Sequence, residues 1–154
     1  MNCDDLFIEA DKAYDEGDYV KAFELFNKAA RMGDDSSMSR IALMYYSGDG
    51  VDVDIETSIE WDKKAVEAGS FTSLLNLAVT YRALGDIKKA KYWFEKSLAA
   101  GNGEAALQLA KLYMVSDKEV ETVRKYLRIA IEHDNMYEES VDEAKLLLVT
   151  LSDL

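Results

Sequence analysis

Few side chains in this 154-residue chain are of types that make or break bonds, and their spacing does not gather them. A zinc site needs four nitrogen or sulfur ligands, and one histidine, His133, with one cysteine, Cys3, cannot supply them. His133 falls at the end of an expected helix, where a cation sits well against the carbonyl dipoles, so a structural role is read for it rather than general base chemistry. Cys3 stands beside the start of the sequence with no base near it to generate a thiolate. The acidic run Asp49-Gly50-Val51-Asp52-Val53-Asp54-Ile55-Glu56 offers oxygens to calcium, but its glycine and glutamate miss the places a calcium loop requires. Gly48 and Gly50 are spaced like part of a phosphate cradle, yet they follow a helical segment and have no basic neighbour. On these residues no catalytic group, metal site or cofactor is expected, and the chain is not read as an enzyme.

The elements that hold these residues are legible from composition and period. Hydrophobic residues make up 49% of the chain and charged residues 31%, enough apolar surface for one folded domain over residues 1–154. Eighteen Lys and Arg against thirty Asp and Glu give a net charge of −12, which disfavours binding to a phosphate backbone, so no nucleic acid partner is expected. With Asp4, Asp5 and Glu9 near the start no secretory apolar segment is expected there, and no run approaches the ~18 apolar residues of a membrane helix. The expectation is a cytoplasmic, monomeric protein without membrane contact.

Proline is absent, and Gly33, Gly69 and Gly101 each end an amphipathic segment, with Asp134 at the corresponding place of a fourth. The intervals of 36, 32 and 33 residues are those of a helical repeat array. Within each period two helix-period segments flank a short polar break, which predicts repeats over 3–33, 34–69, 70–101 and 102–134 and a final capping helix over 137–152. The predicted helices run near 3–16, 18–32, 35–47, 54–68, 71–84, 86–100, 103–115 and 118–133. Asp18, Asp54 and Asp86 open the second helix of three repeats, where a carboxylate can accept unpaired backbone N–H groups. Ala10, Ala42, Ala78 and Ala110 on first helices and Ala22, Ser58, Ala90 and Val123 on second helices mark close approach. Phe26, Trp61, Trp93 and Tyr126 are read as the large residues between them, with Trp93 expected inside. Val141, Ala144, Leu147, Leu148 and Leu151 give the last helix an apolar side to cover the end of the array.

Residues 50–69, GVDVDIETSIEWDKKAVEAG, carry Gly50, Val51, Asp54, Trp61, Lys64, Ala65 and Gly69, and Ile41-Ala42, Tyr45 and Gly48 precede them. This pattern resembles the Sel-one-like repeat, a relative of the tetratricopeptide repeat. The longer link in this repeat, 27 residues from Ala42 to Gly69 against 23 from Ala10 to Gly33 and from Ala78 to Gly101, is part of the likeness. Thr57-Ser58 stands where Lys-Ala is usual, and Asp62 where an aromatic is usual.

The resemblance implies an all-α solenoid of about four antiparallel helix hairpins plus the capping helix, with first helices lining a concave groove. That places Phe7, Asp11, Tyr14, Ser39, Leu43, Tyr46, Leu75, Val79, Arg82, Leu107, Lys111 and Met114 at a partner-binding surface. The function implied is a non-enzymatic adaptor that holds a segment of another protein. The alternative is an immunity or inhibitor protein that neutralises a basic toxin or effector through its acidic surface, since residues 1–69 hold 17 acids and 7 bases while 70–101 hold 2 acids and 5 bases.

Overall fold

The computed structural model describes residues 1–116 and 119–152. Among them the chain forms nine α-helices and no strand: α1 (Cys3–Asp15), α2 (Tyr19–Arg31), α3 (Asp35–Ser47), α4 (Ile55–Ala68), α5 (Phe71–Ala83), α6 (Ile87–Ala99), α7 (Glu104–Ser116), α8 (Val120–Glu132) and α9 (Glu138–Ser152). The expected start of the eighth helix at Lys118 lies outside the described residues. The chain divides into two compact units, Met1–Leu77 and Ala78–Leu154, with the division inside α5.

The polar breaks stop the helices for local reasons. Asp18, Asp54 and Asp86 accept the backbone N–H of Lys21, Thr57 and Lys89 at 3.2, 3.0 and 3.1 Å, so the expected caps of α2, α4 and α6 are in place. The fourth equivalent, Glu119 before α8, makes no such bond. Between α3 and α4 the longer link folds back on α2. There Gly50 has φ +72°, and a Cβ on it would come within 2.8 Å of the Tyr19 Cβ, so both conformation and space require glycine.

In the first unit α1 packs on α2, α2 on α3 and α3 on α4. Leu6, Ala10, Leu25, Phe26, Ala29, Ile41 and Met44 form the core, with Phe7, Tyr19, Phe23, Tyr45 and Trp61 packed against it. In the second unit α6 packs on α7, α7 on α8 and α8 on α9. Its core holds Phe94, Leu107, Leu109, Val123 and Leu127, and Tyr113 stacks on Tyr126 with ring centroids 5.7 Å apart. All eight small residues picked out at the hairpin crossings are buried.

One position of the pattern differs from expectation. The fully buried site of each second helix lies seven residues before Gly33, Gly69, Gly101 and Asp134, and is filled by Phe26, Asp62, Phe94 and Leu127. Trp93, expected inside, is half-buried against Tyr92, because its neighbour Phe94 points into the core. The capping helix buries Ala144 and Leu151, half-buries Val141, Leu147 and Leu148, and leaves Leu146 and Val149 exposed.

Candidate functional site

In the first unit the starts of three helices meet around an open cleft of about 320 Å³. Phe7 comes from α1, Asp35, Ser36, Ser39 and Arg40 from α3, and Ser70, Phe71 and Thr72 from the start of α5. The cleft exists because the α4–α5 turn is short: Gly69 takes a left-handed backbone and the Ser70 hydroxyl caps α5, accepting the N–H of Ser73 at 3.3 Å. Phe71 is left 71% exposed on its rim.

The cleft floor is polar and tied to the interior. Ser39 and Ser70, 8% and 5% exposed, are 2.9 Å apart at their hydroxyls, and Ser39 lies 2.6 Å from the Ser73 hydroxyl. Behind them Ser73 is 2.5 Å from Asp62, which also accepts from the Asn76 amide at 3.2 Å. Asp62 is 3% exposed, and burial pushes its carboxyl up to about 6 against the pull of the two hydrogen bonds.

Along the same face of α1 and α3, Arg40 pairs with Asp11 and lies over the Tyr14 ring, 5.6 Å from its centroid. The Tyr14 hydroxyl donates to Asp49 at 2.6 Å; that bond, then burial, pushes the phenol up to about 12. Asp49 also accepts from Ser47 at 2.6 Å, and these bonds hold its carboxyl below the usual range. Leu43 and Tyr46 remain exposed on α3.

Of the predicted binding residues in this unit, Phe7, Asp11 and Tyr14 are therefore half-buried in one α1–α3 network or its border, Leu43 and Tyr46 are exposed, Leu75 is half-buried and Ser39 is in the floor. In the second unit Arg82 is exposed and donates to Gln108 at 2.5 Å, Val79 and Met114 are half-buried, and Lys111 pairs with Glu143 of the capping helix at 2.5 Å. Leu107 is a core residue, 1% exposed, because its side of α7 is covered rather than presented. The cleft residues not singled out from sequence are Asp35, Ser36, Arg40, Ser70, Phe71 and Thr72. Asp35, Ser36, Ser70, Phe71 and Thr72 lie in or just before first turns and not in the middle of first helices, and Arg40 lies on α3 beside Ser39. A second open hollow, about 470 Å³, runs along α2 and α3 and is lined by Phe23, Glu24, Asn27, Lys28, Arg31 and Tyr45.

Three of the residues weighed for chemistry, His133, Asp49 and Asp54, have local structural partners. His133 Nδ1 accepts the N–H of Asn135 at 3.1 Å beyond the end of α8. In the acidic run, Asp49 is held by Tyr14 and Ser47, and Asp54 by Thr57. Among the described residues no three of His, Cys, Asp and Glu are grouped to hold a metal ion, and no helix is long and apolar enough to cross a membrane.

Comparison with known proteins gives these features a context. The family model "Sel1 repeat" matches residues 12–34, 35–70 and 75–102. Two proteins of Schizosaccharomyces pombe are similar: chitin synthase regulatory factor 3, 31% identical over 109 residues, and chitin synthase regulatory factor 4, 28% identical over 106. The matches cover 66% and 64% of this chain but only 12% and 17% of those proteins. Among solved structures, a Sel1 repeat protein from Oxalobacter formigenes superposes with a TM-score of 0.77 at 24% identity, over 97% of this chain and 63% of that one. The protective antigen c5321 of uropathogenic Escherichia coli, described as displaying an SLR fold, gives 0.75 at 26% identity, over 97% and 33%.

Proposed function

The chain belongs to the Sel1 repeat family, an α-solenoid class related to the tetratricopeptide repeat, and from that premise we propose that it is a non-enzymatic adaptor which holds a segment of another protein against its first helices. Sel1 repeat proteins are protein-interaction modules, and their fold is generally a scaffold rather than a catalyst. The observation that carries the reading is the cleft of the first unit, where residues from α1, α3 and α5 converge with an exposed aromatic at the rim. Leu43 and Tyr46 extend this face along α3 with exposed apolar surface of the kind a peptide or helix covers. In the second unit Val79, Arg82, Lys111 and Met114 belong to the corresponding helices and are read as further contacts. The names of the two yeast proteins, regulatory factors, support an adaptor role in preference to a chemical one. The whole of residues 1–154 is taken as one repeat domain in this reading.

Peptides selected from a random display library on the full chain should bind with micromolar affinity. Leu43→Ala combined with Tyr46→Ala, both at exposed positions, should weaken them tenfold or more while leaving the melting temperature unchanged. Failure to select any peptide, or affinity untouched by the double variant, would overturn the proposal.

Charge favours one second reading. Residues 1–77 hold 17 acids and 7 bases, so the first unit carries net −10 of the chain's −12. An inhibitor of a basic toxin or effector would use that field to steer a folded target. It would show a single folded partner bound at nanomolar affinity or tighter, with an association rate that falls steeply with added salt.

A further inference from the structure

The buried carboxylate behind the cleft is connected to it by hydroxyl groups whose protons can be counted. Four contacts need one proton each: Ser73 with Asp62 at 2.5 Å, Ser39 with Ser73 at 2.6 Å, Ser39 with Ser70 at 2.9 Å, and Ser39 with the Asp35 carbonyl at 3.1 Å. When Asp62 is ionised, the three hydroxyls supply three protons. The two shortest contacts take those of Ser73 and Ser39, Ser70 then donates to Ser39, and the long contact to the Asp35 carbonyl goes without. Every proton in the row points inward. Ser70, in the cleft wall, accepts the Ser73 N–H with one lone pair and is left with the other, and the aligned O–H dipoles add to the carboxylate charge behind them. When Asp62 is protonated, its own proton serves Ser73, the row can reverse, and the Ser70 proton is free to turn toward the cleft.

The positive ends of α3 and α5 at the cleft are met locally, with Asp34 accepting the N–H of Ser37 and Ser70 that of Ser73, so the remaining side-chain charges set the sign of a ligand that would use this floor. Arg40 on α3 has its charge met by Asp11 on α1, which leaves Asp35 as the unpaired charged group of the lining. The α5 side contributes only Ser70, Phe71 and Thr72, and Asn76 and Ser73 facing Asp62 do not titrate. Phe7 and Phe71 supply apolar walls for an aliphatic stem.

We propose that this cleft takes a cationic side chain of the bound segment, a lysine or arginine whose N–H groups donate to Ser70 and Asp35 and whose stem lies between Phe7 and Phe71, with Asp62 as the positioning residue that keeps the hydroxyl protons turned inward. The inference rests on the peptide-binding reading above and gives it a chemical preference. It also assigns a role to a residue that stands where the repeat usually has an aromatic.

The test needs no natural partner. Capped lysine (N-acetyl-lysine methylamide) and its uncharged counterpart, capped norleucine, are titrated into the ¹⁵N-labelled full chain. At about pH 7.5 capped lysine should shift the amide signals of Ser39, Ser70, Phe71 and Ser73 and bind at least about fivefold more tightly than capped norleucine. At about pH 5 that preference should fall at least about threefold, as the Asp62 carboxyl becomes protonated. Asp62→Asn should show a small preference that does not change with pH, and Ser39→Ala, which cuts the row but keeps the Asp62 charge, should lose the greater part of the pH dependence. Equal binding of the two probes, shifts away from the cleft, or a preference that survives both variants would overturn the proposal. If display selection still yields peptides in that case, the adaptor reading stands without the subsite. Capped lysine bound in the cleft with no peptide selected would leave the subsite and remove the adaptor.

Discussion

Asp62 in the first unit and Phe94 in the second occupy the same place in the repeat, seven residues before the glycine that closes the hairpin, and both are buried. Phe94 fills the site with apolar volume and asks nothing of its neighbours but contact. Asp62 draws Ser73, Asn76, Ser39 and Ser70 into a polar row that ends at an open cleft. One position thus serves packing in one hairpin and, where the side chain is charged, links the interior to the surface in the other. The second helix begins and ends alike in both hairpins, with capping Asp54 and Asp86 and left-handed Gly69 and Gly101, so this contrast lies in the side chain and not in how the helix is bounded.

That contrast can be broken in order of expected effect. Removing residues from Asn135 onward takes away α9, which buries Ala144 and Leu151 against the second unit and pairs Glu143 with Lys111. Such a chain should aggregate on size-exclusion chromatography, and a soluble form of unchanged stability would deny α9 its covering role. Phe94→Ala should cost about 3–5 kcal/mol in denaturant unfolding, and Trp93→Ala clearly less, since Trp93 is only half-buried. Equal losses would show that the two aromatics share the core.

Asp62 should respond to pH in the opposite sense from an ordinary paired carboxylate. Its carboxyl is raised from 3.8 to about 6 in the folded protein, so its contribution is fully favourable below about pH 4 and is lost as pH rises through 6. The shift corresponds to about 3 kcal/mol. Stability should therefore increase between about pH 7 and pH 5, and Asp62→Asn should flatten that rise and stabilise the protein at neutral pH. Asp49, Asp54 and Asp86 have lowered values, so their contributions are present above 3.8 and decline only at more acidic pH, outside this window. A profile unchanged by Asp62→Asn would mean that the carboxyl is not strained by burial. At the small end, Asp86→Ala should lower the melting temperature by about 2–4 °C, whereas Glu119→Ala, which removes no capping bond, should leave it in place.

The helical plan was open to reading because it is written in short-range chemistry. Capping aspartates, closing glycines and small residues at crossings are set by backbone needs within one or two turns, and the expected helix bounds agree with those observed to one residue wherever both ends are described. Rotation about the helix axis was less visible. Trp93 and Phe94 are adjacent large aromatics, and only packing against the neighbouring helices decides which one turns inward. The cleft was hidden for a related reason: Ser70, Phe71 and Thr72 lie at a turn and a first helical turn, where spacing along the chain does not report which surface they share. Asp62 was visible as a departure from the repeat, but the row of serines that answers it comes from two separate stretches of sequence, Ser39 on α3 and Ser70 and Ser73 at the start of α5.

The most direct measurement of the central claim is a map, by amide chemical-shift perturbation on the full chain, of where a display-selected peptide lies. Shifts are expected on Phe7, Leu43, Tyr46 and Phe71, on the first helices and the cleft. Shifts confined instead to Phe23, Asn27, Lys28 and Arg31, along the hollow beside α2, would contradict it.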